Sequence, residues 1–352
     1  TLKDDYNDKY EYILPEITLD KNLINNRKFG DLSAQTNLKV HNYDTNKLNS
    51  FLVNDLNWRS NDIVSKFGFN SNILGNIKNI NYDSKNDTTY KNDPTSELFG
   101  TIGYLSELNL RKNNGLNKHL LTPKMLLRYA PGSMRKEISG SRLDPNAAFD
   151  LSRLNKINNF ETGITSTLGF DYKIKNNSQD FDFSVAQVFS EKENKKMSNI
   201  SSLDGKNSDL TGAVNATLNK TINFNYNFNL DQNYKDMNYS DIGTQLNFGA
   251  LNINFNYLKE QKHIGNNNYF KSKIAFKNND NGLFSFETKR NLVTNSSEFY
   301  DLSYEYINDC LRAGLVYRRE FYNDSELEAE NSLLFKITLI PFGDINSPLI
   351  NR

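Results

Sequence analysis

The chain has 352 residues, and its 42 basic and 42 acidic side chains balance to a formal net charge of +0. That balance lacks the basic footprint of a nucleic-acid-binding protein. Its single cysteine, Cys310, excludes an internal disulfide, and no run approaches the ~18 apolar residues of a membrane helix. Hydrophobic residues make up only 37% of the chain, yet aromatics reach 12%, too many for a disordered segment. Many aromatics with little total apolar mass suit a single-layer sheet with one greasy face.

Alternation in the sequence supports that reading. Early strands are predicted around Pro15, Ile17 and Leu19, then from Leu32 to Val40, Phe51 to Trp58, Ile73 to Tyr82 and Phe99 to Leu110. A run of Leu121, Pro123, Met125, Leu127 and Tyr129 follows. Next comes an alternation from Phe160 to Tyr172, with Glu161, Gly163, Thr165, Thr167, Gly169 and Asp171 opposite. Phe181, Phe183 and Val185 mark another strand, and Leu210, Val214 and Leu218 another. In the clearest pair, Ile222, Phe224, Tyr226, Phe228 and Leu230 alternate with Asn223, Asn225, Asn227 and Asn229, and Leu251, Ile253, Phe255 and Tyr257 with Asn252, Asn254 and Asn256. Later strands centre on Leu246, Ile274, Phe284, Leu302, Leu315 and Phe335. Period two puts apolar side chains on one face and groups that demand hydrogen bonds on the other. The templates give about 17 strands with no helical pattern between them, an all-β antiparallel transmembrane β-barrel, or part of one.

The connections alternate between short and long from about residue 158, as in outer-membrane barrels, which carry short periplasmic turns and longer outside loops. If the last strand runs down into the periplasm, Cys310 lies at the periplasmic rim and 131–158 lies outside. The segment 61–72 is long where a short turn is expected. Aromatics near strand ends, among them Tyr129, Phe160, Tyr172, Phe189, Tyr257 and Tyr317, fit interfacial girdles, although Tyr and Phe are also good strand residues. Lys124, Arg128, Arg312, Arg318 and Lys336 alternate into the presumed inner face, where a water-filled lumen would solvate them or a passing anionic headgroup would meet them.

His41, His119 and His263 stand apart from one another and from Cys310, so no zinc-ligand spacing is present and no cofactor is expected. Phosphate-loop and nucleophile-elbow motifs are absent as well. A Ser/His/Asp site on the outer rim is the one enzymatic arrangement that spacing leaves open. The primary expectation is a protein that is not an enzyme.

Three segments resemble the LptD family of lipopolysaccharide-assembly proteins: Leu121-Thr-Pro-Lys-Met-Leu-Leu-Arg-Tyr-Ala-Pro-Gly-Ser-Met-Arg135, then Ala148 to Leu154 with Phe160 to Tyr172, and Tyr304 to Arg319. Phe183-Ser-Val-Ala-Gln187 extends the likeness. The resemblance implies a periplasmic jellyroll followed by a barrel of about 26 strands, set in the outer membrane of a Gram-negative bacterium. It also implies an LptE plug lipoprotein inside, a bridge of LptA-like jellyrolls, and lipopolysaccharide leaving sideways into outer-membrane lipid. With about 17 strands, residues 1–352 are expected to be the C-terminal portion of that barrel, the jellyroll and first strands being absent. The last-strand side of the exit seam would be Ser332, Leu333, Leu334, Phe335, Lys336, Ile337, Thr338, Leu339 and Ile340, ended by Pro341. Cys310 matches a family cysteine that bonds to the N-terminal domain; Asp309 beside it leaves room for at most one such bond. A general porin or nutrient channel is the alternative reading.

Overall fold

The computed structural model describes residues 11–43, 46–154, 156–219, 221–278, 281–321 and 331–339. Its strands are β1 (Tyr12–Asn26), β2 (Gly30–Asn42), β3 (Leu48–Arg59), β4 (Ile63–Val64), β5 (Phe69–Lys85), β6 (Thr95–Leu108), β7 (Leu110–Asn114) and β8 (Asn117–Ala130). After a long connection come β9 (Gly163–Lys175), β10 (Gln179–Ser190), β11 (Leu210–Leu218), β12 (Ile222–Leu230), β13 (Met237–Phe248) and β14 (Leu251–Glu260). The series ends with β15 (Asn267–Asn278), β16 (Gly282–Asn291), β17 (Ser296–Ile307), β18 (Leu311–Glu320) and β19 (Asn331–Leu339).

All 19 strands belong to one sheet. The ladders are antiparallel and follow chain order from β1 to β19. β4 continues the line of β3 along β5, and β7 continues β6 along β8. The 19 named strands therefore make 17 staves, as the alternation anticipates. Among the described residues no ladder joins β1 to β19.

The pleat sorts the side chains as the pattern requires. Leu98, Ile102, Leu127, Ile164, Leu302 and Leu315 stand exposed on one face. The opposite, concave side carries Asn76, Lys78, Arg128, Thr165 and Thr167, all buried. Amides on that face satisfy one another: Asn254 Nδ2 donates to Asn252 Oδ1 at 2.7 Å and Asn256 Nδ2 to Asp241 Oδ1 at 2.9 Å. An apolar convex face, exposed or half-exposed from stave to stave, over an inner face rich in hydrogen bonds, is a wall with hydrocarbon outside.

One rim carries the turns 27–29, 65–68, 115–116, 176–178, 219–221, 249–250 and 308–310; the other carries 86–94, 131–162, 191–209, 231–236 and 261–266. This corrects the reading of 61–72. Ile63–Val64 is strand, and the chain reverses over 65–68, where Ser65 N–H donates to Phe69 O and Gly68 N–H to Ser65 O. The short-turn rule therefore holds in the N-terminal third as well.

A second correction concerns Phe160. The alternation predicted from that residue begins only at Gly163, whose φ of +125° is left to glycine. Phe160 is fully buried on the inner side, stacked on Phe99 with centroids 5.5 Å apart, so it belongs to no interfacial girdle.

Most of the buried apolar side chains among the described residues fall in two clusters. Phe51, Val53, Ile80, Tyr82, Phe99, Ala130 and Phe160 form one. Met134, Leu143, Ala148, Ala186, Val188, Met197 and Leu203 form the other. Both lie between the inner wall and the connections folded onto it.

Candidate functional site: the inner wall and the segment that covers it

The connection 131–162, expected to lie outside, starts from the long-loop rim and folds inward against the wall. Its contacts run from β5 to β14. At one end Arg135 pairs with Glu97 of β6 and lies over the rings of Tyr82 and Tyr90, at 5.0 and 5.1 Å. In the middle, Thr211 Oγ1 of β11 and Asn229 Nδ2 of β12 donate to Leu143 O at 3.1 and 2.9 Å. At the far end Arg142 bridges Glu260 of β14 at 2.5 Å and lies 3.6 Å over the Tyr239 ring. The docking needs Gly140, since a Cβ there would sit 1.5 Å from His263 O.

The anchor is an ionic knot with no exposed side chain. Arg153 forks onto Glu161, with Nε 2.8 Å from Oε2, and gives a further bond of 2.9 Å to Thr165 Oγ1. Arg128 donates Nε to Leu151 O at 2.8 Å and Nη2 to Glu161 O at 2.5 Å. Burial alone would raise the Glu161 carboxyl, but Arg153 and Arg128 outweigh it and hold it below the ordinary carboxylate range. Glu137, tied to Asn159 at 3.1 Å and to Lys156 at 3.2 Å, also lies below that range despite its burial. At the 86–94 connection, burial opposes the ionised Asp87, yet Lys47 and Asn49 hold its carboxyl at about 2. Burial pushes the Tyr90 hydroxyl up to about 12.

The predicted inner-face residues divide accordingly. Lys124 and Arg128 do face inward, Lys124 bridging Asp171 at 2.5 Å. Arg128 is not solvated by an open lumen, however; its side chain has no solvent exposure because 131–162 covers it. Arg312 and Arg318 lie on the uncovered wall and bond to Glu305 and Asp301 of β17 at 2.9 and 2.6 Å. Lys336 is exposed opposite Gly314. On the predicted seam strand, Leu333, Phe335 and Ile337 share a face with Tyr317, Leu315 and Ala313 and are exposed, whereas Thr338 is buried. Ile340 and Pro341 lie outside the described residues. Cys310 is exposed in the turn 308–310, on the short-turn rim.

Sequence spacing missed a second cluster. His263 Nε2 is 2.7 Å from Asp209 Oδ2 and 3.4 Å from Ser202 Oγ, while Nδ1 faces Ile200 O at 2.8 Å. Acid and hydroxyl meet the same ring nitrogen, so no charge-relay geometry exists; a triad needs them on opposite nitrogens. The group instead ties 191–209 to 261–266. His119 pairs with Tyr172 and His41 with Glu11. Among the described residues no cluster of three metal-ligating side chains occurs.

A one-layer antiparallel wall, apolar outside and polar inside, with turns on one rim and long loops on the other, defines an outer-membrane β-barrel protein. Structures with a similar arrangement include two siderophore receptors of Acinetobacter baumannii. PirA is 7% identical with a TM-score of 0.44, the alignment covering 92% of this chain and 63% of that one. PiuA is 10% identical with a TM-score of 0.32, covering 92% and 72%. This chain thus spans less than two thirds of the PirA chain. No curated protein matches. The family model described as "LptD: LPS transport system D" matches residues 12–292. The chain belongs to that family, and its place is the outer membrane of a Gram-negative bacterium.

Proposed function

We propose that this chain is the C-terminal part of the barrel wall of a lipopolysaccharide translocon and delivers lipopolysaccharide to the outer leaflet. The observation that carries the reading, beyond family membership, is the division of the inner wall. β15–β18 present a polar face of exposed or half-exposed charge, with Lys271 and Lys273 on Glu287, Arg318 on Asp301 and Arg312 on Glu305. Phosphorylated sugar headgroups can exchange with such screened carboxylates at little cost, since exposed pairs contribute only about 0–1 kcal/mol. β19 is the last described stave of this face, and lipid chains leave beside it, through a seam that few ladder bonds close. The chemistry is transport, with no bond made or broken in the substrate.

In this reading an LptE-like lipoprotein sits against the lumen, and an N-terminal jellyroll outside this chain receives cargo from LptA-like subunits. Cys310, on the periplasmic rim, forms one disulfide to that domain. Non-reducing gels of the full-length protein then show a species that Cys310→Ser removes; an unchanged pattern refutes the bond. The function itself is tested by photo-crosslinking residues placed at Lys336, Arg318 and Lys273 in cells. Lipopolysaccharide adducts are expected there and not at buried Thr167. Absence of adducts at all three positions, with surface lipopolysaccharide normal after depletion, refutes the transport reading.

A further inference from the structure

The membrane-facing side is not smooth. Across β3, β5, β6 and β8 lies a concavity of about 470 Å³, walled by Leu56, Trp58, Ile102 and Tyr129 and floored by Gly75 and Gly100. All six point outward. Trp58 pairs with Gly75, Gly75 with Ile102, and Ile102 with Tyr129. A Cβ at Gly100 would meet nothing within 4 Å, whereas at Gly75 it would press on the Trp58 ring at 3.3 Å. The dent exists because glycine takes the place of a large side chain at two adjoining outward positions. A second cavity of about 690 Å³ shares Ile102 and Tyr129 and continues to Ile164 and Phe189 on β9 and β10. From Trp58 to Ile164 the row crosses five staves, about 19 Å at the usual strand spacing. That is a trough on the scale of an acyl chain.

The lower end of this trough carries charge. Trp58 Nε1 donates to Phe29 O at 2.7 Å, and Asn61 Nδ2 donates to Arg27 O at 2.5 Å. The turn 27–29 is thus fastened beside Trp58, with Arg27 and Lys28 exposed on it. Neither has an ion-pair partner among the described residues. This is the short-turn rim, which in an outer-membrane barrel faces the periplasmic leaflet, and that leaflet is built of glycerophospholipids.

We infer that the trough holds one anionic glycerophospholipid of the periplasmic leaflet, its phosphate against Arg27 and Lys28 and one acyl chain over Gly75 and Gly100. Continuity with the hydrocarbon-facing wall supplies the apolar part of the argument, because an unfilled groove in lipid forfeits dispersion contacts. The two cations at the proper leaflet level supply the headgroup part. The site lies on the outer wall, on staves other than β19, and is separate from the proposed transport route.

Native mass spectrometry of the full-length complex, released from micelles doped with equal phosphatidylglycerol and phosphatidylcholine, tests the inference. The expected result is one retained phosphatidylglycerol, favoured about thirtyfold over phosphatidylcholine by the two surface cations. The double variant Arg27→Ala, Lys28→Ala removes exposed side chains only. It is expected to abolish that preference while the heat-modifiable gel shift of the folded barrel persists. Gly100→Leu, which fills the groove, is expected to reduce retention of both lipids. Equal retention of the two lipids by the parent protein, an undiminished preference in the turn variant, or lipopolysaccharide as the retained molecule would each overturn it. Because the turn variant disturbs no packing, misfolding of Gly100→Leu leaves the test decisive.

Discussion

The wall from β3 to β14 and the wall from β15 to β19 share one architecture and differ in what lies on their inner faces. Under 131–162 the first half carries apolar clusters, the Phe51 group and the Met134 group, and charges stripped of water. The second half carries the same residue types, Arg, Lys, Asp and Glu, in ladders open to solvent. Burial separates the two outcomes. Arg153–Glu161 has no access to water and a full set of partners, whereas Arg318–Asp301 keeps a side chain about one third exposed. A barrel sheet can therefore be structurally committed on one arc and permissive on the other.

The largest effects should come from breaking the committed arc. Arg153→Met leaves Glu161 buried beside Arg128 alone, and loss of one member of a buried pair costs roughly 3–5 kcal/mol. Segment 131–162 should undock, seen as new protease cleavage within it while the heat-modifiable barrel persists. An uncut segment would show that the apolar clusters hold it without the knot. Phe335→Lys on the outer face of the second arc should come next, at about 2–4 kcal/mol near the bilayer midplane, read as lost folding yield in vesicles. Lys at Thr338 should cost less, although Thr338 is buried; equal losses would reverse the facing of β19.

How much of this division was legible beforehand follows from its causes. Strand alternation is local, so the one-sheet fold, the 17 staves and the facing of Lys124, Arg128, Leu333 and Phe335 could be read from period two. The inward fold of 131–162 could not, because its contacts with Glu97, Thr211, Asn229 and Glu260 are long-range and it has no periodicity. The apparent strand start at Phe160 misled for a related reason. Phe160 and Thr162 continue the parity of β9, but the chain turns at Gly163 and delivers Phe160 to the inside. In 61–72, a strand of only Ile63–Val64 carries too few residues to display alternation. The His263, Asp209 and Ser202 group joins different loops, and no spacing signals it.

A milder test uses pH. Glu161 and Glu137 both titrate below the ordinary value of 4.5 in the folded protein. Their contribution to docking is therefore complete above that value and is lost as pH falls through the folded values. Lowering the pH from neutral to well below the ordinary carboxylate range should release 131–162 before the sheet melts, measurable as amide exchange at 131–162 rising ahead of exchange in β9 and β10. Simultaneous exchange would mean that the segment and the wall unfold as one unit.

The smallest expected effect lies on the open arc and gives the comparison its sharpest form. Arg318→Met removes a forked pair to Asp301, Nε at 2.8 Å and Nη2 at 2.6 Å, whose geometry matches that of Arg153 on Glu161. If geometry alone set the energy, the two variants would lose equal stability. Water reaches Arg318 and solvates whichever partner remains, so about 0–1 kcal/mol is expected here, with the thermal midpoint almost unmoved. A loss comparable to that of Arg153→Met would mean that the second arc is as dry as the first. It would then have to be covered by something that binds there, and the permissive surface invoked for headgroup passage would not exist.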